Sequence, residues 1–195
     1  MKVYSRAKKL FSKGGWRKFR LRIAEDRRRE REVKNYQKWI TAHRLTENGR
    51  EHLRREIETF GEKLLISVLL PVYNVEEKWL RRCIESVIGQ LYANWELCIA
   101  DDRSPSPHIK KVLKEYAALD ERIKIVFRSE NGHISAASNS ALELATGEFV
   151  ALLDHDDELS EDALFYVVKE INRFPAADFI YSDEDMIDEN GERYT

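Results

Sequence analysis

The 195-residue sequence has little of several things, and each shortage narrows what it can be. It contains two cysteines, Cys83 and Cys98, both inside apolar runs; such thiols suit packing in a reducing compartment rather than a disulfide framework. Eight Gly and four Pro are too few for a collagen-like or low-complexity chain. No apolar run approaches the ~18 residues of a membrane-spanning helix. The start, Met1-Lys2-Val3-Tyr4-Ser5-Arg6, lacks the apolar stretch of a secretory signal. Neither G-x-x-x-x-G-K nor G-x-G-x-x-G occurs, which disfavours a P-loop NTPase and a dinucleotide-dependent dehydrogenase. Hydrophobic residues at 43% are enough for one sizeable core and argue against disorder.

The net charge of -2 conceals a division. Residues 1–38 hold 15 Lys and Arg against 4 Asp and Glu, whereas residues 66–195 hold 13 against 26. A basic tail and an acidic body imply different partners. In the tail, Val3, Ala7, Leu10 and Phe11 share one helical face, Gly14-Gly15 interrupts, and Trp16, Phe19 and Ile23 resume the spacing. A basic helix with a narrow apolar face fits an anionic membrane surface, so residues 1–23 are a candidate for peripheral membrane contact. Docking on the acidic body and plain solvation are open alternatives. No nucleic-acid motif is present, and nucleic acid is not expected as a partner. From Glu25 to Phe60 a weak stripe (Val33, Tyr36, Ile40, Leu53, Ile57, Phe60) predicts an extended helical region closed by Gly61.

From Ile66 onward strands alternate with helices. Ile66–Leu70, Trp95–Ala100, Ile123–Phe127, Phe149–Leu153 and Phe179–Tyr181 read as strands, the first stopped by Pro71. Apolar residues at helical spacing fill 79–91 and 109–117. A small Ala- and Ser-rich helix is expected over 135–145, and another after Ser160 as its cap, ending near Pro175. Such βαβ order predicts an α/β fold: a Rossmann-like, mostly parallel sheet with helices on both faces, preceded by a basic helical extension. The expected division is 1–65 for the extension and 66–195 for the α/β domain. Ligands of such sheets bind at the carboxyl ends of the strands. Three predicted strands run into acids there: Asp101-Asp102, Asp154-His155-Asp156-Asp157 and Asp183-Glu184-Asp185.

Carboxylates gathered on one rim repel unless cations or hydrogen-bond donors lie among them. Asp154, Asp156 and Asp157 offer hard oxygens suited to Mg2+ or Mn2+, which complete their shells with water and substrate phosphates. A diphosphate-bearing substrate follows. Asp102 at the end of its strand can accept from a ring N–H of a pyrimidine base. His133 and His155 read as hydrogen-bonded loop residues, since nothing pairs them at ligand spacing.

Four segments in register, Leu70-Pro71-Val72-Tyr73-Asn74, Asp101-Asp102-Arg103-Ser104, Asn131-Gly132-His133 with Ala136-Ala137-Ser138-Asn139, and Leu153-Asp154-His155-Asp156-Asp157, resemble the family 2 glycosyltransferases of GT-A fold. Tyr36-Gln37-Lys38-Trp39, Asn94-Trp95-Glu96-Leu97 and Tyr181-Ser182-Asp183-Glu184-Asp185 resemble the bacterial O-antigen and cell-surface polysaccharide branch. The resemblance covers about residues 66–195. It implies inverting transfer of a sugar from a nucleotide-diphosphate donor to a glycan or lipid-linked acceptor, with a divalent metal. It places Pro71, Tyr73, Glu77, Asp101, Asp102, Asn139 and Asp154 at the nucleotide-sugar, with Glu76 competing for the position of Glu77. Asp154, Asp156 and Asp157 would serve the metal. Asp183, Glu184 and Asp185 are candidates for the catalytic base, which in the family otherwise lies beyond the position of Thr195. Ser138 stands where many relatives carry Arg, a departure that shifts diphosphate neutralisation onto the metal. The acceptor-binding half is also expected past Thr195, which leaves a nucleotide-sugar-binding module without turnover as a second reading. A Mg-dependent nucleotidyltransferase is a third. The expected location is cytoplasmic, at the inner face of the membrane, with association through an exposed sheet edge.

Overall fold

In the computed structural model, residues 21, 28, 31–188 and 191–194 are described. The basic face expected over residues 1–23 lies outside them, apart from Leu21. Two compact units form.

The smaller unit contains helix α1 (residues 31–43) and the segment from Tyr181 onward. In that segment β5 (Met186–Ile187) pairs antiparallel with β6 (Arg193–Tyr194). Asp188 closes the turn by accepting from Glu192 N at 2.8 Å, and Gly191 supplies the positive φ of 85° that the reversal requires.

The larger unit runs from Glu47 to Ile180. The helical region expected to run from residue 25 to 60 is broken at residues 44–46, and α2 (Glu47–Glu58) starts afresh on the far side. It belongs to the larger unit, whereas the expected division lies at residue 65. Arg50 grips Glu161 with two parallel bonds of 2.7 and 2.8 Å, Lys169 pairs with Glu56 at 2.7 Å, and Phe60 stacks on Phe165. Gly61 lies beyond the helix rather than capping it.

The remaining elements are β1 (Ile66–Val72), α3 (Glu77–Ile88), β2 (Trp95–Asp101), α4 (Pro107–Leu119), β3 (Ile123–Phe127), α5 (His133–Leu142), β4 (Phe149–Leu152) and α6 (Ala163–Arg173). The four strands form one parallel sheet in the order β3-β2-β1-β4. The chain therefore steps outward from β1 to β3, then returns through α5 to place β4 on the other side of β1. Right-handed crossovers put α3 and α4 on one face and α5 on the other. Ala137 and Ala141 of α5 pack with Leu69, Cys98 and Ala100, and these small residues bring the helix close to the sheet. Every residue of β1 and β2 is buried, as a strand covered on both faces requires. β4 is an edge strand, and Leu152 on it is 78% exposed.

Phe179–Tyr181 is not a strand, and Phe179 and Tyr181 are exposed. Ser160 is not the cap of α6, whose boundary residue is Asp162.

At the amino end of the sheet Glu96 is buried with its carboxylate fully engaged. Ser67 Oγ donates at 2.7 Å, Lys124 Nζ at 2.6 Å and Thr146 Oγ1 at 2.9 Å. Ser67 in turn accepts from Gly147 N at 2.9 Å. This ties the turn before β4 to the three strands on its far side.

Candidate functional site

The sheet's order reverses between β1 and β4, and the carboxyl ends of these strands border the crevice where open α/β sheets take ligands. Pro71 stands near the carboxyl end of β1. The sequence reading stops β1 at this proline, yet the strand continues through it to Val72. The hydrogen-bond parity shows why this is tolerated. Leu69 O accepts from Leu153 N at 3.1 Å, towards β4, whereas Val72 O accepts from Asp102 N at 2.9 Å, towards β2. Pro71 shares the parity of Leu69, so its missing N–H faces β4, whose pairing with β1 ends at Leu69↔Leu152. The Pro71 carbonyl accepts instead from His155 Nδ1 at 3.2 Å. His155 is thus a hydrogen-bonded loop residue, as expected.

On the β2 side the two aspartates divide their work. Asp101 Oδ1 accepts from Ser104 N at 3.2 Å, closing its own turn. Asp102 is 2% exposed. Its Oδ1 accepts from Arg128 Nε at 2.8 Å and from Gly132 N at 2.9 Å, while its carbonyl accepts from Asn131 Nδ2 at 3.1 Å. A Cβ on Gly132 would stand 2.7 Å from both Ala136 Cβ and Arg128 Nη2, so the approach requires glycine.

On the β4 side the turn of Asp154–Asp157 is closed by Asp157 N donating to Asp154 O at 3.1 Å, and Cys83 Sγ contacts the same carbonyl at 3.4 Å. Burial pushes the Cys83 thiol far above its ordinary range, and the charges of Asp157, Asp156, Glu158 and Asp154 push it further. Arg82 neutralises Glu158 at 2.6 Å. Asp154 and Asp156 are exposed and form no ion pair among the described residues. No three His, Cys, Asp or Glu side chains among the described residues make a ready protein-only metal cluster. The donor chemistry nonetheless fits a hard cation that takes one or two carboxylates and draws its other oxygens from water and phosphate.

Asp102 and the Asp154 turn flank β1 on its two sides. They lie one strand apart on either side of β1, Asp102 past the level of Val72 and the Asp154 turn past the last β1–β4 rung at Leu69↔Leu152. Among the described residues three non-glycine residues have left-handed backbone, Asn74 (φ 50°) and Arg103 (φ 58°) in the loops after β1 and β2, and His133 (φ 62°) at the start of α5. Asn74 is held by Ser104, whose Oγ accepts from Asn74 N at 2.9 Å, and by the Ser106 hydroxyl, which donates to Asn74 Oδ1.

The other candidates are more scattered. Tyr73 follows β1 and is half-exposed; Asn139 is exposed on α5. Glu77 opens α3 and accepts from Arg81 Nε at 2.8 Å, so its carboxylate is engaged on its own helix. Asp183, Glu184 and Asp185 belong to the smaller unit. There Asp185 pairs with Arg193 at 2.6 Å and accepts from the Tyr36 hydroxyl. Burial first, and then this bond to Asp185, raises the Tyr36 phenol. Arg128 escaped the sequence reading, because a lone arginine after a strand carries no local pattern.

Comparison with known proteins completes the picture. Residues 67–194 match the family described as glycosyl transferase family 2. The chain belongs to that family.

Among its relatives, an uncharacterized protein y4gI of Sinorhizobium fredii is 57% identical over 129 residues, covering 66% of this chain and 14% of its own length. The O-antigen biosynthesis protein RfbC of Myxococcus xanthus is 35% identical over 137 residues, covering 70% of this chain and 11% of its own. The chain thus spans a small part of these relatives. The structure of S. aureus TarS 1-349 in complex with UDP-GlcNAc aligns with a TM-score of 0.50 and 28% identity, over 55% of this chain and 31% of that one. The parallel α/β sheet and the family match agree with the fold expected from the sequence.

Proposed function

We propose that the crevice binds a nucleotide-diphosphate sugar and that the protein transfers the sugar, with inversion, to a hydroxyl of a glycan or lipid-linked acceptor in cell-surface polysaccharide synthesis. The observation that carries this reading is the placement of a buried, oriented Asp102 and an exposed carboxylate turn on the two sides of β1, at the switch point of the sheet. The O-antigen protein RfbC and the UDP-GlcNAc complex of TarS support the substrate class.

Asp102, beside Pro71 and Tyr73, takes the ring N–H of a pyrimidine, and Asp101 keeps the loop in shape for it. Asp154 and Asp156 would hold Mg2+ or Mn2+, with Asp157 a further ligand and Asp154 also a candidate partner of the ribose. A bound divalent ion supplies neutralisation of the diphosphate as it leaves. Asn139 is assigned to the diphosphate side, and Ser138 brings no charge there. A general base must take the proton of the attacking hydroxyl. Asp185 is occupied by Arg193 and Tyr36, which leaves Asp183 and Glu184 as this chain's candidates for the base. The division of 66–195 as donor-binding domain is part of the same proposal, with α2 added to it. Because the chain spans so little of its relatives, a donor-binding module whose turnover needs further chain is the second reading.

Calorimetry tests the donor site. UDP binding should be strengthened by Mn2+, and Asp156→Ala should abolish that enhancement while leaving the fold intact. Binding indifferent to metal, or preference for a purine diphosphate, would overturn it. Transfer assays with a chain extended past Thr195 separate the enzyme from the module. Among the described residues no helix is long and apolar enough to cross a membrane; peripheral contact through residues 1–23 is proposed from their sequence alone. Flotation with anionic liposomes that survives deletion of residues 1–23 would remove it.

A further inference from the structure

We infer that Arg128 is a positioning residue that sets which nucleobase the crevice accepts, an inference resting on the donor-site reading above. Nearly every polar atom of Asp102 is committed. Its N–H goes to Val72 O, its carbonyl is taken by Asn131, and Oδ1 holds both Arg128 Nε and Gly132 N. Oδ2 has only the longer leg of the shared Gly132 N–H, at 3.2 Å. A carboxylate oxygen accepts about two hydrogen bonds, so Oδ1 is filled and Oδ2 keeps the unfilled position.

Arg128 decides this allocation because it is anchored at both ends. Its backbone N donates to Asp101 O at 2.9 Å as the chain leaves β3. Its Nη1 donates to Ala136 O at 2.8 Å and to the Ser140 hydroxyl, both on α5. The planar guanidinium is therefore a strut between the end of β2 and the first turns of α5, and it fixes the rotation of the Asp102 carboxylate. A lysine ammonium has the charge but not the fork. The pair is secluded, with side chains 17% and 3% exposed.

An ionised carboxylate only accepts hydrogen bonds. Held by Arg128 with Oδ2 unfilled, Asp102 favours uracil or thymine, whose N3 carries hydrogen, over cytosine, whose N3 is itself an acceptor. Arg128 touches no substrate; it acts through Asp102.

The test uses the full chain with Mn2+ and compares UDP, CDP and inorganic pyrophosphate by calorimetry. The unaltered chain should prefer UDP to CDP. Arg128→Gln should lower UDP affinity about tenfold, the usual scale for a lost charged hydrogen bond, with CDP and pyrophosphate held within about twofold. Arg128→Lys should restore only part of the preference. Ser140→Ala loosens the strut without touching Asp102, and it should lower the UDP to CDP ratio in a chain that melts near the unaltered temperature. An unchanged ratio in both Arg128→Gln and Ser140→Ala, or an equal loss for all three probes, overturns the inference while the donor-site reading stands. Failure of the unaltered chain to bind any of the nucleotides overturns that reading and the inference with it.

Discussion

Lys124 Nζ stands 2.6 Å from Glu96 Oε2 at the amino end of the sheet, the end opposite the one that carries Asp102 and Arg128. The β2–β3 pair thus has an ion pair at each of its ends. The first organises the turn before β4, and the second organises the start of α5.

Acid should unfold the protein partly through Glu96. Burial by itself would raise this carboxyl, but hydrogen bonds from Lys124, Ser67 and Thr146 outweigh it and hold the group at about 2. The folded value lies below the ordinary 4.5, so the contribution is complete above about pH 4.5 and is lost as pH falls towards 2. At about 1.4 kcal/mol per pKa unit this amounts to roughly 3 kcal/mol. Urea unfolding of the unaltered chain and Glu96→Gln between pH 5 and 2 (an expected working range of about three units) checks it. An acid dependence equally steep in the variant would contradict the assignment.

Two glycines separate stability from binding. Gly132→Ala sets a Cβ 2.7 Å from Ala136 Cβ and Arg128 Nη2, and overpacking of this kind costs about 1–3 kcal/mol. UDP affinity should fall with it. In Gly147→Ala the Cβ meets the Leu65 carbonyl at 2.4 Å, which is backbone and cannot step aside. Here melting temperature should drop at least as far, while calorimetry on the folded protein shows normal nucleotide affinity.

Both cysteines should be inert in the folded chain. Burial raises Cys83 far beyond its usual range and Cys98 to about 11, and only the thiolate reacts. An aromatic disulfide reagent near neutral pH should label neither until denaturant is added, after which both react. Rapid native labelling at either position would show that its surroundings are open.

Arg103→Gly should stabilise the protein. Its φ of 58° costs an L residue about 1–2 kcal/mol that glycine does not bear, partly offset by the greater freedom of glycine in the unfolded chain. A net gain of about 0.5–1 kcal/mol is expected by thermal unfolding. Destabilisation would mean that the arginine makes a contact worth more than the relief.

Much of the larger unit is readable residue by residue. Ile66–Leu70, Trp95–Ala100 and Ile123–Phe127 are dense apolar runs between helical stretches, and tertiary packing reinforces the same choice. Phe179–Tyr181 is similarly apolar, but it is exposed and takes no strand conformation, so composition alone misleads there. The break at residues 44–46 falls in the gap of the apolar stripe between Ile40 and Leu53. At the site, the acidic turns are visible because their residues are contiguous. Arg128 is not, because its partners Asp102, Ala136 and Ser140 lie 26, 8 and 12 residues away. Asp185 looks like a reactive acid in isolation and proves to be half of an ion pair with a residue eight positions on.

Pro71 has a last consequence. The pairing of β1 with β4 ends at Leu69↔Leu152, and Pro71 has no N–H to extend it: a residue with an ordinary amide would offer β4 another rung, from which the two strands could zip together towards Asp154. Any replacement at this position that keeps the side chain small therefore threatens to shut the mouth of the crevice from below, leaving every acidic group in place around a space that no ligand can enter.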